Sequence, residues 1–385
     1  MIAHDLAANI DQLRQALEGA NRPAALFIGA GCPMAVPNAA EDGPLIPDVR
    51  KMTEILCERL RDSELSTIFA KLEAVLEVDG KDDADLEYML SLVRALKDVA
   101  GKDTARNLDH EELDALDEAI SAQIVTLAEP ELPRKKTAYH DVMSWVGGAS
   151  RSIPVEIFTT NYDVLAEQSM EESGVPFFDG FVGAHKPFFE VRAIEDDELP
   201  PRWARLWKLH GSITWCRAES GRVIRDYTAT DHRERRLIHP SHLKYDESRR
   251  MPYLALHDRL RHILRQPDVV IVSCGYSFRD EHLNEILQEG LQRNPTAILY
   301  GLLYGDLDSY PEATELAGRA DASNLLLIAE TEAVIGRERA PWREVEDAEA
   351  IASLPGVRVE KAIPCCELGD FAKLGEFLAA LSGAP

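Results

Sequence analysis

Four short apolar runs, each closing on small or polar residues, set the pattern along this chain. Residues 24–31 read AALFIGAG and end in a glycine turn, and residues 155–163 read VEIFTTNYD and end in Asn161, Tyr162 and Asp163. Residues 205–212, RLWKLHGS, end in His210, and residues 268–277, DVVIVSCGYS, end in a second glycine turn. A run that is apolar throughout and then turns polar is how a buried strand reads when its carboxyl end delivers side chains into a cleft. Between and after these runs, apolar residues recur at helical spacing in 5–18, 86–99, 109–125, 137–145, 253–264, 280–292 and 371–381. Further strands fit 297–303, 324–328 and 357–363. Strands alternating with helices predict an α/β fold with a Rossmann-like, doubly wound parallel sheet. The four strand ends of such a sheet converge on one crevice, the usual place for a nucleotide.

Three stretches interrupt this alternation. Residues 48–127 are mainly helical in pattern and strongly acidic, which predicts a helical insertion after the first strand. The expected domains are therefore 1–47 with 137–385 for the sheet, and 48–136 for the insertion. Residues 175–201 are rich in aromatics and turns, and 215–227 read as a hairpin around Ser220-Gly221, together a smaller irregular subdomain. Residues 32–47 hold four prolines and read as a mobile loop over the cleft.

Composition narrows the function. The 385 residues are 45% hydrophobic, enough for a full core. A net charge of −25 argues against direct nucleic-acid binding, which draws its affinity from clustered Lys and Arg. Residues 232–250 reverse the balance locally with Arg233, Arg235, Arg236, Lys244, Arg249 and Arg250. That cluster reads either as surface charge balancing nearby acids or as a contact to cofactor phosphates or a partner chain. The six cysteines form no C-x-x-C pair, and His232, His239 and His242 lack ligand spacing, so no metal is expected. The first residues are acidic and helical in spacing, and no apolar run approaches the roughly 20 residues that span a bilayer. The expectation is a soluble, cytoplasmic protein without membrane contact.

The strand ends carry the candidate chemistry. Gly29 and Gly31 let a backbone approach a phosphate, with the free N–H groups of the next helix start behind it, although a simple tight turn fits equally well. The dinucleotide fingerprint wants a third small residue where this chain has Met34, which disfavours a dehydrogenase-type site. Asn161 offers a carbonyl and an amide without charge, and His210 can take a proton near neutral pH. Taken singly, the first reads as a turn former and the second as a core histidine. Asp280 could simply cap its helix. Cys32, Cys57, Cys216 and Cys274 read as buried thiols.

Four motifs in order carry a resemblance. The turn Gly29-Ala30-Gly31, the T-N-x-D motif (Thr160, Asn161, Tyr162, Asp163), the L-H-G motif (Leu209, His210, Gly211) and GYSFRDEHLN from Gly275 to Asn284 resemble the sirtuin-like superfamily. Within it the chain is similar to the sirtuin-like proteins of bacterial antiphage defence. Two departures matter. The family often has a small hydroxyl residue where this chain has Cys32, and protein-deacylating sirtuins carry a four-cysteine zinc module that is missing here.

The resemblance implies an enzyme that hydrolyses NAD as a substrate, an NAD glycohydrolase (NADase) releasing nicotinamide and ADP-ribose. It implies Asn161 and His210 as catalytic residues. It implies nucleotide contacts at Gly29, Ala30, Gly31, Cys32, Thr160, Asp163, Gly275, Ser277, Asp280 and His282. Asn161 would orient a water or a ribose hydroxyl, His210 would act as the base, and Asp163 would fix the loop or a ribose. Alternatives from other classes are a deacylase or ADP-ribosyltransferase, and a module that senses NAD or ADP-ribose without turnover. The resemblance further implies abortive infection by NAD depletion, a homo-oligomer larger than a dimer, and a HerA-type DNA-translocating ATPase as partner. The candidate contact surfaces are 48–127 and 232–250.

Overall fold

A computed structural model describes residues 2–38, 43–101, 103–148, 151–226, 251–319 and 323–382. The basic stretch 232–250 lies outside the described residues. Strands are numbered here in chain order: β1 (Ala24–Ile28), β2 (Val155–Thr159), β3 (Phe177–Phe178), β4 (Phe181–Val182), β5 (Phe188–Phe189), β6 (Ala204–Lys208), β7 (Trp215–Arg217) and β8 (Val223–Arg225). They continue with β9 (Val270–Cys274), β10 (Ile298–Leu302), β11 (Leu325–Ile328), β12 (Glu332–Ile335), β13 (Glu338–Pro341), β14 (Val357–Glu360) and β15 (Ile363–Cys366).

Among the described residues the main sheet has nine strands in the order β13-β12-β11-β10-β9-β1-β2-β6-β3. The run from β11 to β3 is parallel, and β12 and β13 are added antiparallel at one edge. All five residues of β1, β2, β6 and β9 are buried, as expected for a parallel sheet covered on both faces. The period-two alternation divides their side chains between two cores. Leu26, Ile28, Ile157, Leu206 and Val272 face one, with the helices Leu6–Glu18, Ala138–Gly148 and Phe371–Leu381. Phe27, Phe158, Trp207 and Ile271 face the other, with Tyr253–Leu264, Glu281–Arg293 and Pro311–Gly318. The doubly wound expectation holds. The order reverses around β1, whose neighbours are β2 and β9, and this places a switch-point crevice at their carboxyl ends.

Buried charges on these strands are paired. On one face Glu156 accepts from Arg259 Nη2 (2.9 Å) and Trp207 Nε1 (2.6 Å), and Arg205 Nε donates to Asp197 (2.9 Å). On the other, Lys208 Nζ donates to Glu167 (2.9 Å) and to the Asp163 carbonyl. A buried charge without such a partner would be costly.

Helices α2 (Val49–Arg61), α3 (Ser66–Val78), α4 (Leu86–Ala100) and α5 (His110–Ala128), numbered after the N-terminal helix α1 (Leu6–Glu18), occupy the acidic stretch. They pack largely on one another. Asp48, Asp85 and Asp109 cap α2, α4 and α5, so part of the acidity serves helix starts. The expected hairpin at 215–227 is present as β7–β8, within a four-stranded sheet of order β4-β5-β8-β7.

Two expectations need correction. The strand foreseen at 357–363 is a hairpin, β14–β15, because Lys361 and Ala362 both adopt positive φ (48° and 69°) and turn the chain. The described parts of 32–47 are anchored. Val36, Leu45 and Ile46 are core residues, and Leu45 N–H bonds the Val36 carbonyl at 2.7 Å.

Candidate active site

The four strand ends are stitched backbone to backbone. Gly29 N–H donates to the Cys274 carbonyl (2.9 Å), Gly31 N–H to Gly275 (2.9 Å), Thr160 N–H to Ile28 (3.3 Å) and Leu209 N–H to Thr159 (2.8 Å). The glycines serve this contact directly. A Cβ on Gly29 would stand 2.3 Å from the Gly275 oxygen, and one on Gly31 would stand 2.9 Å from the Gly275 Cα. Gly275 itself has φ +68°, and a Cβ there would meet the Cys32 nitrogen at 2.6 Å. Three of the four amides of residues 29–32 are thereby engaged, since Cys32 N–H also bonds the Gly29 carbonyl at 3.0 Å. The segment after the turn is a 3-10 turn, Pro33–Ala35, with proline at its first position. It provides no α-helix N-terminus for a phosphate, contrary to expectation. Ala30 is exposed at the turn.

Cys32 lies in the core as a thiol, with Sγ 3.1 Å from the Cys274 carbonyl, and burial pushes its pKa well up. The side chain does not reach open space, which removes it as a side-chain contact for a nucleotide.

Asn161 is also turned inward. It is buried, and its Nδ2 donates to the Gly29 carbonyl at 3.1 Å, tying the end of β2 to the turn after β1. Its Oδ1 is buried, and so is the Tyr139 hydroxyl that the Asn161 side chain acts on. Asp163 accepts from Leu165 N–H (3.0 Å) and so fixes the start of the helix Leu165–Glu172. Burial raises its pKa to about 6 against the lowering influence of Lys208. Thr160 is half-buried beside them.

His210 and Asp280 are brought together. His210 Nε2 lies 2.9 Å from Asp280 Oδ2, and facing a carboxylate it is the donor. Asp280 Oδ1 meanwhile accepts from Leu283 N–H at 3.1 Å, so the same carboxylate caps the helix Glu281–Arg293 and orients the imidazole. His282 packs edge-on against His257, ring centroids 5.0 Å apart. Burial, with His282 and His210 nearby, lowers the His257 pKa to about 3. Ser277 is exposed in the loop between them. That loop is held by Asn284, which donates to the carbonyl of Phe278 (2.5 Å), a buried residue at φ +58°. Asn284 also accepts from the Tyr276 hydroxyl at 3.1 Å.

The site contains two side chains to which motif reasoning gave no role. Tyr162 lies with its ring centroid 6.4 Å from that of His210, and its hydroxyl donates to Glu87 Oε1 at 2.9 Å. Glu87 belongs to α4, in the acidic stretch. Burial raises its carboxyl pKa, His210 and the Tyr162 hydrogen bond oppose the rise, and Asp85 and Asp280 add to it. Glu87, His210 and Asp280 thus form one electrostatic group. A cavity of about 250 Å³ lies beyond the ends of β10 and β11, away from this site, lined in part by Tyr304, Glu330, Arg358 and Lys373. Among the described residues no three His, Cys, Asp or Glu side chains gather as a metal site, and no helix is long and apolar enough to cross a membrane.

A mutant Sir2 homologue in complex with ADP-ribose is 11% identical, with 77% of this chain and 85% of that chain covered and a TM-score of 0.34. A Sir2 homologue in complex with NAD is 14% identical over 78% and 86%, with a TM-score of 0.32. No curated protein matches the sequence. Residues 155–322, which hold Asn161, His210 and Asp280 but not the Gly29 turn, match the SIR2-like domain family.

Proposed function

We propose that the crevice cleaves NAD to nicotinamide and ADP-ribose. The observation that carries this reading is the His210–Asp280 pair at the sheet's switch point, inside a SIR2-like stretch. The bond from the nicotinamide nitrogen to ribose C1′ breaks with its electron pair going to the ring, which leaves neutral. Positive charge develops on the sugar, and a water oxygen bonds to C1′. The water's proton passes to His210, and the Asp280 carboxylate stabilises the imidazolium that results. Asn161 fixes the Gly29 carbonyl and with it the turn beside the pyrophosphate. The missing zinc module favours hydrolysis over deacylation.

In the cell, this reading makes the protein an antiphage effector that depletes NAD. It assembles as a homo-oligomer larger than a dimer and is controlled by a HerA-type ATPase. Support for these points is the motif resemblance together with the hazard of an uncontrolled NADase. Nicotinamide release by the purified protein, with and without an acylated peptide, tests the activity. Release without peptide is expected. Strict dependence on peptide would indicate a transferase, and ADP-ribose binding without release would indicate a sensor.

A further inference from the structure

The acidic helices reach the strand ends through a polar contact that none of the four motifs contains. We propose that Glu87 is a positioning residue of this site, holding the Tyr162 ring beside His210, so that α4 forms part of the active site. The proposal rests on the NAD-cleaving reading.

Both ends of the Tyr162–Glu87 hydrogen bond are anchored. The Tyr162 carbonyl accepts from Ile213 N–H (3.0 Å), Ser212 Oγ (3.3 Å) and Lys208 Nζ (3.5 Å), so its backbone cannot shift without breaking the buried network under β6. The ring packs against the core beneath it, and the hydroxyl fixes its direction through Glu87. On the other side, Glu87 sits in the first turn of α4. Asp85 caps that turn by accepting from Tyr88 N–H (2.8 Å), and Leu86 N–H donates to Thr53 Oγ1 on α2 (3.0 Å). The bond is therefore a strut between two fixed elements, and the object at its cleft end is an aromatic ring 6.4 Å from the base. A ring at that distance limits where a flat nicotinamide or a ribose can lie against His210. Glu87 also faces His210 and Asp280 electrostatically, which places it at the site and not on a solvated acidic face.

The variants Glu87→Ala, Glu87→Gln, Tyr162→Phe and the double Glu87→Ala/Tyr162→Phe test this by kcat and KM for nicotinamide release and by calorimetry with ADP-ribose. Glu87→Ala and Tyr162→Phe should each lower kcat about tenfold, the scale of one hydrogen bond to a charged group, and the double variant should be no worse than either. Glu87→Gln should recover most of the loss, because its Oε1 still accepts from the phenol. ADP-ribose affinity should change less than kcat. If Glu87→Ala does not fold, Tyr162→Phe, which removes one oxygen, carries the test alone. Wild-type rates in both single variants, additive losses, or a Glu87→Gln variant as slow as Glu87→Ala would overturn the proposal and leave the functional reading standing. A wild-type protein that neither releases nicotinamide nor binds ADP-ribose would overturn both.

Discussion

Asp280 serves His210 and a helix start with one carboxylate: Oδ2 lies 2.9 Å from the imidazole Nε2 while Oδ1 accepts from Leu283 N–H at 3.1 Å. The two tasks can be separated. Asp280→Asn keeps an acceptor for the cap but removes the charge that would stabilise an imidazolium. Nicotinamide release should fall by about 10²-fold with little change in melting temperature. Asp280→Ala should lose activity and also about 0.5–2 kcal/mol of stability, readable by denaturant titration. An Asp280→Asn variant with full activity would remove Asp280 from the chemistry.

Gly29 should be intolerant for a reason of packing. A methyl group 2.3 Å from the Gly275 oxygen cannot be relieved by a flexible side chain, because the obstacle is backbone. Gly29→Ala should destabilise the fold by at least the roughly 1–3 kcal/mol typical of overpacking. Gly31→Val meets Gly275 in the same way, so a loss of NAD binding in that variant would report a displaced turn as much as a blocked phosphate site. Unchanged melting temperatures in both would show that the two turns are not in contact.

Arg259 and Glu156 hold the helix Tyr253–Leu264 onto the sheet from inside. Arg259→Met leaves Glu156, which is 4% exposed, with the Trp207 indole N–H but no cation beside it and should cost about 3–5 kcal/mol. Adding Glu156→Gln should return part of that loss, because the uncompensated charge goes. If the double variant is as unstable as the sum of the singles, the pair is not the unit of stability here.

His257 gives the fold a pH dependence whose sign is fixed. Burial, with His282, His210 and Arg261 opposing the charged form and Asp280 favouring it, holds the group near 3, whereas in the unfolded chain it titrates near the ordinary histidine value of about 6.5. The unfolded state binds the extra proton between these values. Stability from this group is complete above about pH 6.5 and lost as the pH falls toward about 3. His257→Leu should therefore flatten the decline of melting temperature between about pH 6.5 and 4. An identical decline in the variant would place the titration elsewhere.

Much of this architecture was legible in the sequence. Strand ends announced themselves by an apolar run turning polar, and the helices 253–264 and 371–381 fall where their spacing put them. The β12–β13 hairpin was missed although Gly336 marks its turn; Lys361-Ala362 carries no turn residue to mark the other. Asn161 read as a group that orients a water or a ribose hydroxyl because a sequence does not show which of its atoms is already bonded. Glu87 lies 75 positions from Tyr162 in an acidic stretch, where one carboxylate among many carries no local signal. Juxtapositions of that kind exist only once the chain is folded.

The central claim is that His210 is the base of an NAD-cleaving site, and the most direct measurement is nicotinamide release by His210→Ala beside the wild-type protein, with ADP-ribose affinity taken by calorimetry on both. The wild-type protein should release nicotinamide without any acylated peptide. The variant should bind ADP-ribose nearly as well and release nicotinamide about 10²–10⁴-fold more slowly. Equal release by a folded His210→Ala protein, or no release by the wild type, would contradict the account.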